Sequence, residues 1–299
     1  MEYKQLGNTK EKVPEIGIGT WKMLDAAVDT EVIRTAVSHG STFVDTAEMY
    51  GNEEMVGKAI RGMENVFLAT KVSPHNFKYE DVIKACNASL KRLGVKQIDL
   101  YQLHWPNHSV PIRETMHAME QLKKEGKIRH IGVSNFDVTE FEGAMSELKN
   151  DEIVSNQVEY SLLVRDVEKE MLEYCKKNKV TLIAYSPLAR GALFSKKYAQ
   201  LKKALDAIGE AHGKTAAQVA LNWLISKEGV VAIPKASNAS HAVENAESSG
   251  WTITQKEMSE IGHFLSRIRK RPISSVFTPV LKHSGFWSKR MTPRQSRQA

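Results

Sequence analysis

Cysteine is nearly absent from this 299-residue chain: Cys86 and Cys175 are the only two, far apart and both inside segments of helical pattern. No CxxC pair is present, so neither a zinc site nor a disulfide framework is suggested, and two reduced thiols fit a cytoplasmic setting. No run approaches the roughly 20 apolar residues that a membrane helix needs. Residues 1–8 lack the apolar core of a signal peptide. Low-complexity tracts are missing, as are helix-turn-helix, RNP and zinc-finger patterns. These absences argue against secreted, membrane and nucleic-acid-binding classes.

The formal charge of +7 does not overturn that reading, because of where the charge sits. Residues 267–299 hold nine Lys and Arg and no Asp or Glu, and the remaining body carries 33 basic against 35 acidic residues. The excess is a property of the tail, not of a basic face on the domain. Three readings of the tail at 272–299 stay open, since Phe277, Phe286 and Trp287 lie among its cations. It folds over the mouth of its own domain, contacts another subunit, or contacts a polyanion.

What is present is a regular alternation. Residues 2–14 read as a hairpin turning at Gly7-Asn8. Eight short apolar runs follow, at 16–19, 42–45, 66–70, 98–103, 128–133, 154–158, 180–185 and 230–233. They do not alternate cleanly between apolar and polar, as expected of parallel strands covered on both faces. Helical stretches separate them. In 79–93, Val82, Ile83, Cys86, Leu90 and Leu93 make one stripe and Gly94 supplies a stop; 166–177 and 216–225 read similarly. Eight strand–helix units predict a single α/β domain, a (β/α)8 TIM barrel over residues 15–265 with an N-terminal β-hairpin.

In such a barrel, chemistry gathers at the C-terminal ends of the strands. Asp45 ends the second run, Tyr50 lies in the loop after it, Lys71 ends the third and His104 the fourth. Each has an ordinary reading: a turn-capping aspartate, a rim aromatic, a solvated lysine, a core histidine. Their placement on one rim points elsewhere. A tyrosine, with its pKa near 10, is a poor acid at neutral pH unless a lysine ammonium lowers that value. An aspartate behind the lysine keeps it charged, and a histidine beside the tyrosine orients a carbonyl. The set makes a general acid for protonating an oxygen as hydride reaches carbon.

Several phrases occur in a telling order. They are Gly17-Ile-Gly-Thr-Trp21, Phe43-Val-Asp-Thr-Ala-Glu-Met-Tyr50-Gly-Asn-Glu53, Ala69-Thr-Lys71, and Leu100-Tyr-Gln-Leu-His104-Trp105-Pro106. Gly126 to Phe136, Ala184-Tyr185-Ser186-Pro187-Leu188 and Ile233-Pro234-Lys235 follow. In these the chain resembles the aldo-keto reductase family. The resemblance implies a tetrad of Asp45, Tyr50, Lys71 and His104, with Tyr50 as acid in the reduction of aldehydes or ketones. It implies NADPH as the preferred cofactor without a Rossmann fold, and residues 17–22 indeed fail the GxGxxG fingerprint. The implied cofactor contacts are Gly19, Thr20, Trp21 and Asp45, with Ser134, Asn135 and Gln157 at the nicotinamide carboxamide. Tyr185 stacks on the ring, and Ser186, Pro187, Leu188, Arg190 and Gly191 pass the pyrophosphate. Ile233, Pro234, Lys235, Ala236, Ser237, Asn238 and His241 lie toward the adenosine phosphate, with Glu244 and Asn245 near the adenine. Trp21, Tyr50, His104 and Trp105, with Val72 and Ser73 nearby, flank the substrate. Many NADPH-specific members carry Ser and Arg where this chain has Ala236 and His241. Arginine is a permanent fork for phosphate and histidine is not, so a shallower preference with some NADH use is expected.

The remaining expectations are a small carbonyl substrate, no nucleic acid, no membrane, no metal, and a monomer or weak homo-oligomer. Two other functions fit the same residues: a Schiff-base lyase using Lys71, and a subunit that senses NADPH without turning over. A metal site at His104 and His108 is disfavoured by Pro106 between them.

Overall fold

A computed structural model describes residues 1–268; the tail at 272–299 lies outside the described residues. The hairpin pairs β1 (Tyr3–Gln5) antiparallel with β2 (Lys12–Pro14), Tyr3 opposite Pro14. The parallel units follow in chain order: β3 (Ile18–Gly19) and α1 (Ala26–Ser38), β4 (Phe43–Asp45) and α2 (Glu53–Ile60), β5 (Phe67–Val72) and α3 (Tyr79–Leu93), β6 (Ile98–Leu103) and α4 (Ile112–Lys124). Then come β7 (Ile128–Ser134) and α5 (Val138–Ser146), β8 (Ile153–Glu159) and α6 (Met171–Lys177), and β9 (Thr181–Tyr185) with α7 (Ala199–His212) and α8 (Ala216–Ile225). The last are β10 (Val230–Ile233) with α9 (Ala239–Ala246) and α10 (Gln255–Arg267).

Each strand from β3 to β10 hydrogen-bonds in parallel to the next. A parallel bridge between Ile16 and Ala232 joins the two ends, with Gly17 N–H donating to the Ala232 carbonyl at 2.8 Å. The eight apolar runs are thus the eight staves of a closed barrel, and β5, β6 and β8 are buried along their whole length. Burial on both faces is why their sequences lack alternation.

Two apolar layers result. The outer one packs helix stripes such as Val82, Cys86 and Leu93 of α3 onto the barrel. The inner one fills the N-terminal half of the barrel with Phe43, Phe67, Leu100, Val154, Ile183 and Val231, and the hairpin's Leu6 and Val13 plug it from below. The opposite end is left for polar groups. Most runs match their strands to within one or two residues, and two departures from the sequence pattern stand out. The third run continues to Val72, paired with Leu103, so Lys71 is its penultimate residue and not its last. The helix expected over 166–177 is broken: a 3-10 turn at Asp166–Glu168 precedes α6, because Glu170 sits outside helical backbone space (φ −141°, ψ −54°).

Candidate active site

At the C-terminal end of the barrel the four expected groups meet. Asp45 ends β4, and Lys71, one strand over, lies in register with Gln102 of β6. His104 follows β6 directly, its N–H bonded to the Val72 carbonyl at 3.2 Å. Tyr50 closes a 3-10 turn, Glu48–Tyr50, and Gly51 exits it at φ 69°. Glycine takes that left-handed conformation without a Cβ penalty. The loop is tied at its base: Thr46 Oγ1 donates to Asn52 Oδ1 at 2.8 Å, and Asn52 Nδ2 donates to the Thr20 carbonyl at 2.8 Å.

Lys71 organises the centre. Its Nζ donates to Asp45 Oδ1 at 2.6 Å and to the Thr46 carbonyl at 2.8 Å, and lies 3.4 Å from Tyr50 Oη. Asp45 Oδ2 accepts from Gln157 Nε2 at 2.8 Å and from Gln102 Nε2 at 3.2 Å. Lys71 is fully buried, not a solvated strand end. Burial alone favours the neutral amine, but Asp45 and Tyr50 outweigh it and the ammonium is held above its ordinary pKa.

For Tyr50 the balance runs against the sequence expectation. Burial pushes the phenol up, Lys71 pulls it down, Asp45 pushes it up again, and the net direction is upward. The lysine does not make Tyr50 a stronger acid than free tyrosine in this state of the site; it limits how much weaker burial makes it. His104 meets Tyr50 edge-on, with ring centroids 5.6 Å apart, and Trp105 at 4.7 Å. Burial, then the Lys71 charge, hold the imidazole well below its ordinary value, so it is neutral. Its Nδ1 is buried with no hydrogen-bond partner among the described residues. His108 Nε2 lies 3.3 Å from Glu140 Oε1.

The segments expected to hold a cofactor border this centre. Ser134 Oγ donates to the Gln157 carbonyl at 2.8 Å. Asn135, at φ 62°, donates through Nδ2 to the His104 carbonyl at 3.0 Å, and its Oδ1 accepts from Tyr185 Oη at 2.9 Å. Ser186, Ala189, Arg190 and Gly191 all have positive φ, which turns the backbone sharply beside the mouth. The Arg190 guanidinium lies 4.9 Å over the exposed Trp21 ring and 3.9 Å from Glu159. Gly19 N–H donates to the Pro234 carbonyl at 3.2 Å, which joins the residues around Thr20 and Trp21 to those after β10. There Ile233, Pro234 and Ala236 are buried, and Lys235, Ser237 and His241 face outward. Asn238 caps α9, and Ser237 Oγ lies 2.9 Å from His241 Nδ1. Glu244 accepts from Thr215 Oγ1 at 2.6 Å on the neighbouring α8 side, and Asn245 is buried.

Several contributors were not singled out from the sequence. Gln102, the Thr46 carbonyl and Asn52 support the tetrad, and Glu159 brings a buried carboxylate to the rim, its Oε2 without a hydrogen-bond partner among the described residues. For Gln102 a signal existed: a polar side chain near the C-terminal end of a buried strand, two residues before His104 and beside the strand of Lys71.

Comparison with known proteins agrees with this fold. The family model described as "Aldo/keto reductase family" matches residues 15–265. The methylglyoxal reductase YeaE of Escherichia coli (strain K12) is 42% identical over 78% of this chain and 84% of its own. The glyoxal reductase of Bacillus subtilis (strain 168) is 36% identical over 84% of this chain and 88% of its own. The crystal structure of a Klebsiella pneumoniae aldo-keto reductase in complex with NADPH superposes with a TM-score of 0.83 at 35% identity, covering 92% of this chain and all of the other.

Proposed function

The chain belongs to the aldo/keto reductase family, and from that premise we propose that it reduces small aldehydes and ketones with NADPH, Tyr50 acting as the general acid. The observation that carries this reading is the buried Lys71 ammonium, 2.6 Å from Asp45 and 3.4 Å from Tyr50 Oη. A charged lysine against a phenol serves proton donation. It is the wrong state for a Schiff-base nucleophile, which needs the free amine.

The residues present fit the cofactor. Lys235, Ser237 and His241 surround the N-terminus of α9, where backbone dipoles favour a phosphate. Asn135, Ser134 and Gln157 offer both donors and acceptors for a carboxamide beside the tetrad. When bound, NADPH supplies a hydride to the carbonyl carbon. Tyr50 Oη then gives its proton to the carbonyl oxygen, and Lys71 stabilises the phenolate left behind. Neutral His104 can orient the substrate without competing as a charge. Trp21 and Trp105 wall the approach, and the names of the two bacterial relatives support 2-oxoaldehydes such as methylglyoxal as the class to test first. Ala236 and His241, in place of Ser and Arg, leave NADH as a secondary cofactor.

The deciding experiment follows NADPH fluorescence and absorbance at 340 nm with methylglyoxal, glyoxal and benzaldehyde, for the wild type and Tyr50→Phe. The expected outcome is that both proteins bind NADPH and that the variant loses turnover by about 10² or more. Binding without turnover by the wild type would instead support the sensing subunit. A borohydride-trapped adduct on Lys71 would support the lyase.

A further inference from the structure

We propose that Glu48 is a positioning residue for Tyr50: its carboxylate clamps the turn that carries the tyrosine to the loop that leaves β5, and so sets the reach from Tyr50 to Lys71. The inference rests on the reading of Tyr50 as the acid.

The clamp is a closed circuit. Glu48 stands two residues before Tyr50 in the same 3-10 turn. Its Oε1 accepts the Ser73 N–H, and also Asn76 Nδ2 at 3.0 Å. Ser73 is two residues after Lys71, and Lys71 Nζ returns to Tyr50 Oη at 3.4 Å. Lys71 itself is immobilised by Asp45 and the Thr46 carbonyl. The free variable is therefore where the tyrosine's turn sits. At its base that loop is closed by Thr46 and Asn52, and at its tip by Glu48. The same β5 loop is bonded onward, Asn107 Nδ2 donating to the Pro74 carbonyl at 2.7 Å, to the segment that carries His104 and Trp105. Three consecutive rim loops are stapled together, with Glu48 as the carboxylate staple.

A 3.4 Å contact lies at the outer limit of a hydrogen bond. A further displacement of a few tenths of an ångström removes it, and misplacement of about 1 Å in an active site can cost about 10² in rate. Two bonds to one oxygen, from a backbone N–H and a side-chain amide of the neighbouring loop, tie the turn at two points and need only an acceptor there. Burial pushes the Glu48 carboxyl up, the bonds from Ser73 and Asn76 draw it down, and Glu53 and Arg92 act weakly in opposite senses. Its accessible isostere, glutamine, keeps the acceptor oxygen without the charge.

The test compares wild type, Glu48→Ala, Glu48→Gln, Asn76→Ala and Tyr50→Phe for NADPH Kd, kcat, KM for methylglyoxal and the pH profile of kcat. Glu48→Ala is expected to lower kcat at least about 10-fold with NADPH Kd within about 2-fold. Its alkaline limb should move to higher pH, because a phenol farther from the Lys71 charge has a higher pKa. Glu48→Gln should recover kcat to within about 3-fold of wild type, and Asn76→Ala should shift kcat and the limb in the same direction by less. An unchanged kcat and pH profile in Glu48→Ala would overturn the proposal. So would a Glu48→Gln as impaired as the alanine, since the effect would then be one of charge and not of clamping. If Glu48→Ala does not fold, Asn76→Ala decides by the same two readings. A wild type inactive toward every carbonyl, or a Tyr50→Phe as fast as wild type, would mean that the underlying reading of Tyr50 had failed, independently of the clamp.

Discussion

Lys71 and Asp45, on adjacent strands, form an ion pair at 2.6 Å with side chains only 1% and 2% exposed. Breaking one half of such a pair strands the other charge in the interior, which costs about 3–5 kcal/mol. Asp45→Asn should therefore lose about that much stability and also slow turnover, because the ammonium that serves Tyr50 is no longer held. The double variant Asp45→Asn/Lys71→Met should regain much of the stability and none of the activity. Urea denaturation and kcat on the wild type and the two variants check both halves. A double variant no more stable than Asp45→Asn would mean that the stranded charge is not the source of the loss.

His104 gives a pH dependence whose sign can be worked out. Its pKa is held well below the ordinary 6.5 by burial first and the Lys71 charge second. Below pH 6.5 the unfolded chain takes up a proton that the folded protein refuses, so stability falls as pH falls from there toward the depressed value. The slope is at most about 1.4 kcal/mol per pH unit for one such group. His130 is shifted in the same direction, burial being its main cause, and raised carboxyls such as Asp99 act in the opposite sense, so the wild-type curve alone is ambiguous. The difference between wild type and His104→Phe isolates the term. Urea midpoints from pH 7 to 5 should converge in favour of the variant as pH drops; parallel curves would show that His104 is protonated in the folded state.

Ser237 and His241 are joined by a 2.9 Å hydrogen bond at the start of α9. Replacing the histidine by arginine substitutes a planar, forked set of donors that matches a phosphate for an imidazole with no such fork. His241→Arg should raise the NADPH-to-NADH ratio of kcat/KM by about 10-fold, equivalent to one additional charge-assisted hydrogen bond. Steady-state kinetics with both cofactors measure it, and an unchanged ratio would place His241 away from the phosphate.

The barrel was legible in the sequence because its cause is local: each stave is a short apolar run buried on both sides, and each helix shows its stripe. The joint position of Asp45, Tyr50, Lys71 and His104 was legible because each lies within a few residues of a strand end. What pattern alone could not supply depends on register and burial. Taken alone, Lys71 also admits a solvated strand end; pairing of β5 through Val72 places its side chain in the barrel interior beside Asp45. The upward net shift of Tyr50 reflects how many groups surround it, a quantity that no spacing encodes. Glu48 and Asn52 carry no local signal of their own, since their partners lie in other loops, 25 and 32 residues away.

Gly7 bears on stability alone, because the hairpin plugs the end of the barrel opposite the tetrad. Its backbone sits at φ +56°, and an added Cβ would lie 2.7 Å from the Val154 carbonyl oxygen. Its N–H also donates to Thr181 Oγ1 at 2.8 Å, so the turn cannot slide away without losing that bond. Both the left-handed conformation and the close approach to backbone penalise a side chain, and neither can relax by rotating a flexible neighbour. Gly7→Ala should cost about 1–3 kcal/mol, read as a lower urea midpoint with an unchanged slope. NADPH affinity and kcat at 25 °C should stay at wild-type values, since the inner apolar layer separates the plug from the rim. Lost activity in a protein that remains folded would show that the plug transmits strain to the rim.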